Sequence, residues 1–295
     1  MKTNKNYWIL AATVLTTSLF TACNEKKQAE TAEVNVPAEE LTASTADEIF
    51  TTEPLTMNKK GPKGTNISYQ LRIDFPSQGP EQLLSSARKA IKRVMLGAEA
   101  DDRTTKEGLD AIAQRFIETS SREIQELQSA ATEESSLAYT YEGTILMTEN
   151  TATYITYHLN DYLYSGGAHG ASRDFSFTIS KTGAQQMDWN DIIRSECRKD
   201  LEAKVKKAII EEYYQGEEPE WGEVFKFALP EQAPALTDSG LIFNYASYEI
   251  DCYAAGKPHC TLPYDEVREM MTPEAQALIR PLTQDKNTPT NKRQQ

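Results

Sequence analysis

Three glycines crowd one histidine in Tyr164-Ser-Gly-Gly-Ala-His-Gly170. Glycine opens positive φ to the backbone. Such a segment can turn sharply, or aim successive N–H groups at an anion or a glycan hydroxyl. Tyr164, Gly166, Gly167, His169 and Gly170 are therefore the candidate binding residues. Two other readings stay open: a wide bulge between strands in which His169 is a structural hydrogen bonder, and general acid–base use of His169. The segment lacks the Lys-Ser/Thr ending of a phosphate loop and the strand-to-helix setting of a dinucleotide site. Ser165 does not stand in a Gly-x-Ser-x-Gly elbow. No catalytic set and no cofactor are expected.

The other residues capable of chemistry are scattered. His158 falls in a strand among tyrosines, where a cross-strand or surface role is expected. His259 follows Pro258 and is expected to face water. With His169 these are the three histidines of the chain, and their spacing fits no zinc site. No metal is expected. Carboxylates are too abundant for any pair to stand out as a glycosidase dyad. Tyr139, Tyr141, Tyr154, Tyr157, Tyr162 and Tyr164 are strand residues, and exposed ones could stack on a sugar or a protein. Cys252 and Cys260 flank an Ala-Ala-Gly-Lys-Pro turn and are expected to form a disulfide, which would stabilise by roughly 2.5 kcal/mol in the chain-entropy picture. Cys197 shares a four-residue spacing with Leu201, Val205 and Ile209, which predicts a buried thiol on a helix.

The elements that must position these residues follow from periodicity. Ile67, Tyr69, Leu71, Ile73 and Phe75 alternate as in a half-buried strand. Pro80 opens a helix with Leu84, Ala87, Ile91 and Met95 on one face. A second helix carries Leu109, Ala113, Phe116, Ile117 and Ile124. Strands are predicted over 137–147, 151–164 and 173–179, the first two joined by a turn at Glu149-Asn150. Asp188 is expected to cap a single helix that carries Cys197 and runs to Tyr213. Short strands near 225–227, over 240–253 and at 261–264 follow, then a short closing helix with Val267, Met270 and Met271. Hairpins without strict alternation of strand and helix predict an α+β fold with a mostly antiparallel sheet.

The N-terminus reads as a targeting segment. Lys2 and Lys5 precede an uncharged run, Tyr7–Phe20. That run rises only about 21 Å as a helix, short of a hydrocarbon core of ~30 Å, and no other stretch is long and apolar enough to span. A basic start, a short apolar run and small residues before a cleavage point describe a secretory signal. Leu19-Phe20-Thr21-Ala22-Cys23 resembles the lipobox of bacterial lipoproteins. The resemblance implies a signal peptide over 1–22, lipid on Cys23, and a protein held at an envelope membrane and facing the periplasm or the exterior. Residues 23–58 are polar and poor in aromatics, and are expected to form a flexible tether. A lobe over 59–128, a second domain over 129–283 and a disordered tail over 284–295 are expected to follow. The net charge of −13 disfavours nucleic acid and anionic lipid and suits a cationic partner.

Two stretches together resemble a known family. One is Tyr164–Gly170 with Phe175-Ser-Phe177 and the Lys181-Thr-Gly183 turn. The other is Phe227-Ala-Leu-Pro230, Leu236–Tyr245, Tyr248-Glu-Ile250, Tyr253–Gly256 and Leu262-Pro-Tyr264. They are similar to the extracytoplasmic domain of RsiV-type anti-sigma factors, which also accompanies the deacetylase domain of PdaC-type enzymes. The resemblance implies an α+β domain over residues 60–283 that binds rather than catalyses, with lysozyme or peptidoglycan as partner. No cytoplasmic sigma-binding segment and no deacetylase domain are recognised. A wall hydrolase or deacetylase using His169, and a structural lipoprotein of another partner, are the alternatives.

Overall fold

Alternation and helical stripes translate directly into layers. The protein was analysed as a computed structural model that describes residues 49–96, 105–130 and 137–286; Cys23, the leader and the tail beyond 286 lie outside them. The described residues belong to one compact unit. In chain order the elements are β1 (Thr51–Lys60), β2 (Asn66–Gln78), α1 (Glu81–Leu96), α2 (Lys106–Ala130), β3 (Ala138–Asn150), β4 (Tyr154–Tyr164), β5 (Ala171–Ser180), β6 (Gln185–Gln186), α3 (Trp189–Ile192), α4 (Arg198–Glu212), β7 (Ala235–Leu236), β8 (Gly240–Asn244), β9 (His259–Pro263), α5 (Tyr264–Val267) and α6 (Pro273–Lys286). The fold is α+β, as the hairpin pattern predicts.

Strands β1 to β6 form one sheet in sequence order. All pairs are antiparallel except β2–β3, which α1 and α2 separate in the chain. Such a parallel pair needs a long crossover, and helices supply it. Ile67, Tyr69, Leu71, Ile73 and Phe75 of β2 all point into the first core, with Leu84, Ala87 and Ile91 of α1 and Leu109, Ala113 and Ile117 of α2. Strands β7, β8 and β9 form a second, antiparallel sheet. It encloses a second core with α4 and α6, to which Leu201, Val205, Ile209, Phe243, Tyr245 and Ile279 contribute. The two sheets are stitched by hydroxyls: Thr156 Oγ1 donates to Leu236 O at 2.7 Å, and Leu236 N donates to Thr178 Oγ1 at 2.9 Å. Both threonines are buried, so these bonds satisfy groups that could not otherwise be left dry.

Several expectations are corrected. The tether does not reach residue 58, because β1 begins at Thr51 and pairs along β2, with Leu55 opposite Ile73 and Met57 opposite Leu71. Its apolar alternation is short and interrupted by Pro54, which an edge strand tolerates. No boundary lies at 128/129, since β2 and β3 are neighbours over eight register pairs from Asn66–Ala138 to Ile73–Ile145. Asp188 does cap a helix, with a reciprocal capping box through Asp191, but that helix is only α3. The chain leaves it in extended conformation at Ile193, passes a 3-10 turn and restarts as α4 with Cys197 at its N-cap, half-exposed. The hairpin turn comes after Asn150, over 151–153, where Thr151 N donates to Tyr154 O. The closing helix is α6, which runs to Lys286 rather than ending near Met271.

One polar cluster pierces the first core. Asp161 is 4 % exposed and sits opposite Arg173 in the β4–β5 register. Arg173 donates from Nε to both carboxylate oxygens at 3.1 Å, also from Nη2 and from its backbone N, while Nη1 donates to Val94 O of α1 at 2.8 Å. Tyr141 of β3 donates its hydroxyl to Asp161 Oδ2 at 2.9 Å and stacks on Tyr69 of β2, ring centroids 4.6 Å apart. Removing one partner of such a pair leaves an uncompensated buried charge. Asp161→Ala is therefore expected to lower stability by about 3 kcal/mol in urea denaturation; a loss below a third of that would show the pair to be dispensable.

Candidate functional site

The loop between β4 and β5 holds the candidate residues, and its glycines have separate uses. Gly166 (φ 84°) and Gly167 (φ 92°) are in the left-handed region, and nothing would meet a side chain at either. They are glycine for the turn alone. Gly170 is glycine for space: a Cβ there would collide with the Tyr162 ring and the Leu163 carbonyl. Tyr164 closes the loop by donating its hydroxyl to Gly167 O at 2.9 Å.

This geometry delivers His169 to the segment that follows β8. Its ring stacks on Tyr253, centroids 4.0 Å apart and planes 16° apart. Nδ1 lies 3.1 Å from Gly170 O, and Nε2 lies 3.2 Å from the Tyr248 hydroxyl. A carbonyl can only accept, so in the neutral ring Nδ1 carries the proton and Nε2 accepts from Tyr248. Both nitrogens are engaged and one ring face is covered, which suits a fixed binding surface better than a proton shuttle. Tyr248 is 52 % exposed and adopts φ 70°, a strained conformation for a bulky side chain. Glu249 holds it there: its carboxylate accepts from Ala246 N at 2.7 Å and from Glu231 N at 2.6 Å. Burial raises the Glu249 carboxyl above its ordinary range, against the pull of those two N–H groups.

Beside the aromatic cluster lies an open hollow of about 350 Å³, lined among others by Asp174, Asn244, Tyr248, Glu231 and Glu249. Its charge is mostly negative. Asp174 also ends a line of side chains across β4 and β5. His158 Nε2 is 3.2 Å from Asp174 Oδ1, and His158 Nδ1 is 3.1 Å from Ser176 Oγ. The residue types are those of a nucleophilic triad, but Ser176 is 5 % exposed and its backbone N donates to Asn244 Oδ1. Asp174 also accepts from Lys257 Nζ at 3.2 Å and from Asn160. Burial alone would raise the Asp174 carboxyl. The His158 hydrogen bond and the Lys257 charge outweigh burial and hold it at about 2. The line is a polar tie between the two sheets. Among the described residues no three of His, Cys, Asp and Glu are grouped so as to hold a metal ion, and no helix is long and apolar enough to cross a membrane.

The structure thus brings Tyr164, Gly166, Gly167, His169 and Gly170 together and adds Tyr248 and Tyr253. The sequence signal for these two was present only as part of the second family motif. His259 is exposed, as expected, with Nδ1 3.2 Å from Lys257 O. The expected disulfide is not formed. Cys260 on β9 faces the second core, with Sγ 4.0 Å from Val205 O, whereas Cys252 stands exposed at the start of the 3-10 turn over 253–255. Strand alternation decides this, because the β9 register that buries Cys260 turns it away from the surface turn.

With the geometry in place, comparison with known proteins gives a partial placement. Residues 185–265 match the model of a family of proteins of unknown function, DUF3298. That stretch lies within the second motif's half of the chain and begins after the His169 loop. A solved member of the same family from Bacteroides fragilis shares the fold with a TM-score of 0.64 at 15% identity, over 77% of this chain and 95% of that one. A DUF3298 family protein from Pseudomonas aeruginosa aligns with a TM-score of 0.54 at 18% identity, over 78% and 97%. At such identities the likeness is one of fold. No curated protein matches the sequence.

Burial also pushes the Cys260 thiol pKa up, with Glu212 adding to the shift, and only a thiolate reacts readily. A maleimide reagent is expected to label Cys252 of the native protein within minutes and to reach Cys260 only after denaturation. Mass spectrometry showing a linked Cys252–Cys260 peptide without reductant would reverse this assignment.

Proposed function

We propose that the chain is a lipid-anchored binding module of the bacterial cell envelope, non-catalytic, whose aromatic and acidic face receives a basic protein of the lysozyme kind. One observation carries this reading: Tyr248, exposed and held in a strained backbone conformation, flanks the His169–Tyr253 stack beside a hollow lined by Asp174, Glu231 and Glu249. Strain maintained by surrounding hydrogen bonds clusters at functional sites. Exposed tyrosines are favoured contact residues because they offer area at small entropic cost. The net charge of −13 favours encounter with a cationic partner.

The lipobox-like Leu19–Cys23 supports attachment through lipid on Cys23. Two or more acyl chains are needed for durable anchoring. The resemblance to lysozyme-sensing ectodomains supports the partner class. Binding of peptidoglycan in its place would move the contacts toward the hydroxyl-reading backbone of Gly166 and Gly167.

The test is calorimetry of the full chain in detergent with lysozyme and with soluble peptidoglycan fragments. Lysozyme is expected to bind at micromolar strength or tighter and to weaken at least tenfold between about 0.05 and 0.5 M salt. Tyr248→Ala should weaken it tenfold or more with little change in the thermal midpoint, because the side chain it removes is 52 % exposed. Binding confined to the glycan, or none to either, would overturn the assignment.

A further inference from the structure

The charge of this chain is not evenly spread. On α4 and the irregular segment after it, three lysines meet three aromatic rings around a cleft of about 500 Å³, a volume typical of small-ligand sites. Lys199 and Lys206 come from α4, and Lys226 from the facing segment. Trp221, Phe225 and Phe227 form the apolar wall. The cleft shares no lining residue with the acidic hollow beside Tyr248.

The wall is fixed. Trp221 donates its indole N–H to Ile250 O at 2.8 Å, and its backbone N donates to Pro219 O at 2.8 Å. Phe227 packs on Trp221 with centroids 5.0 Å apart and reaches on to Tyr245 of the second core. Gly222 N donates to Phe225 O at 2.9 Å, which turns the segment back toward α4. Lys206 lies 5.0 Å over the Trp221 ring, and Glu218 pairs with it at 2.7 Å. Lys199 and Lys226 make no ion pair among the described residues, in a chain where acids outnumber bases.

We propose that this cleft binds a carboxylate-bearing sugar ring. The ammonium groups of Lys199 and Lys226 supply charge-assisted donors for a carboxylate. Phe225 and Phe227 supply a surface for the apolar face of the ring. Glu202, also in the lining, accepts from a ring hydroxyl. A neutral sugar is less well matched, because it would bring no counter-charge to the Lys199 and Lys226 ammonium groups; the indole N–H is already committed to Ile250, and Ala203 and Gly222 bring no side-chain donor or acceptor. This site is independent of the His169 face and of the partner proposed for it.

The experiment is titration of the full chain in detergent with D-glucuronate and with D-glucose, its neutral isostere, followed by calorimetry. Glucuronate is expected to bind at least tenfold more tightly than glucose. The Lys199→Gln, Lys226→Gln double variant should lose about tenfold in glucuronate affinity, a factor ordinary for hydrogen bonds to charged groups. Phe225→Ala should weaken it too, and thermal unfolding of both variants should match the parent. Equal affinity for the two sugars, absence of glucuronate binding, or an unchanged affinity in the lysine variant would overturn the proposal.

Discussion

A buried carboxylate sets the frame on which the rest is built. Asp161 cannot be left unpaired in the first core, so it draws donors from both neighbouring strands, Arg173 from one and Tyr141 from the other; Arg173 in turn donates to the carbonyl of Val94 at the end of α1. The pair therefore fixes the register of β3, β4 and β5 and docks a helix on them. A one-residue slip would carry every side chain of β4 to the wrong face and would strip the carboxylate of its donors. Gly143 belongs to the same arrangement, since a side chain there would press on Asp161 Cβ at 2.9 Å.

Because β4 and β5 are held in this way, the loop between them has a defined place. It leaves from the end of the first sheet, while Tyr248 and Tyr253 arrive from the second core, where Tyr245 and Ile250 are buried on either side of the exposed bend. The candidate surface is thus assembled from both cores. The tie through Asp174, His158, Ser176 and Asn244, together with the threonine bonds to Leu236, keeps the two halves in step. Its polar character is a cost in burial that hydrogen bonding offsets, and it specifies one alignment of the two sheets.

Much of this was legible in residue order, where period and turn chemistry agreed. Ile67 to Phe75 alternate and form a strand; Leu84, Ala87 and Ile91 repeat at helical spacing and form a helix; Gly166 and Gly167 mark a turn and adopt positive φ. What was not legible depends on contacts distant in sequence. β1 carries only Leu55 and Met57 as an apolar signal and is a strand because β2 offers it an edge. The bond expected between Cys252 and Cys260 looked feasible from spacing, but spacing does not reveal that one thiol faces a core and the other the solvent. The break between α3 and α4 is fixed from outside the helix, where Arg194 N donates to Met270 O and Thr272 N to Ile192 O. Tyr248 joins the site through a bend whose strain no local pattern announces.

The resulting surface is an acidic, aromatic ledge on a fold shared with proteins of unknown function, and a lysine-lined cleft of opposite charge on other residues. The central claim is that the ledge is where a basic partner sits. Hydrogen–deuterium exchange of the full chain with and without saturating lysozyme tests it most directly. The account predicts slowed exchange confined to residues 164–175, 231–232 and 244–256, with the lysine cleft over 199–227 unaffected. Protection elsewhere, or unchanged exchange at the His169 loop in a sample that remains folded, would contradict it.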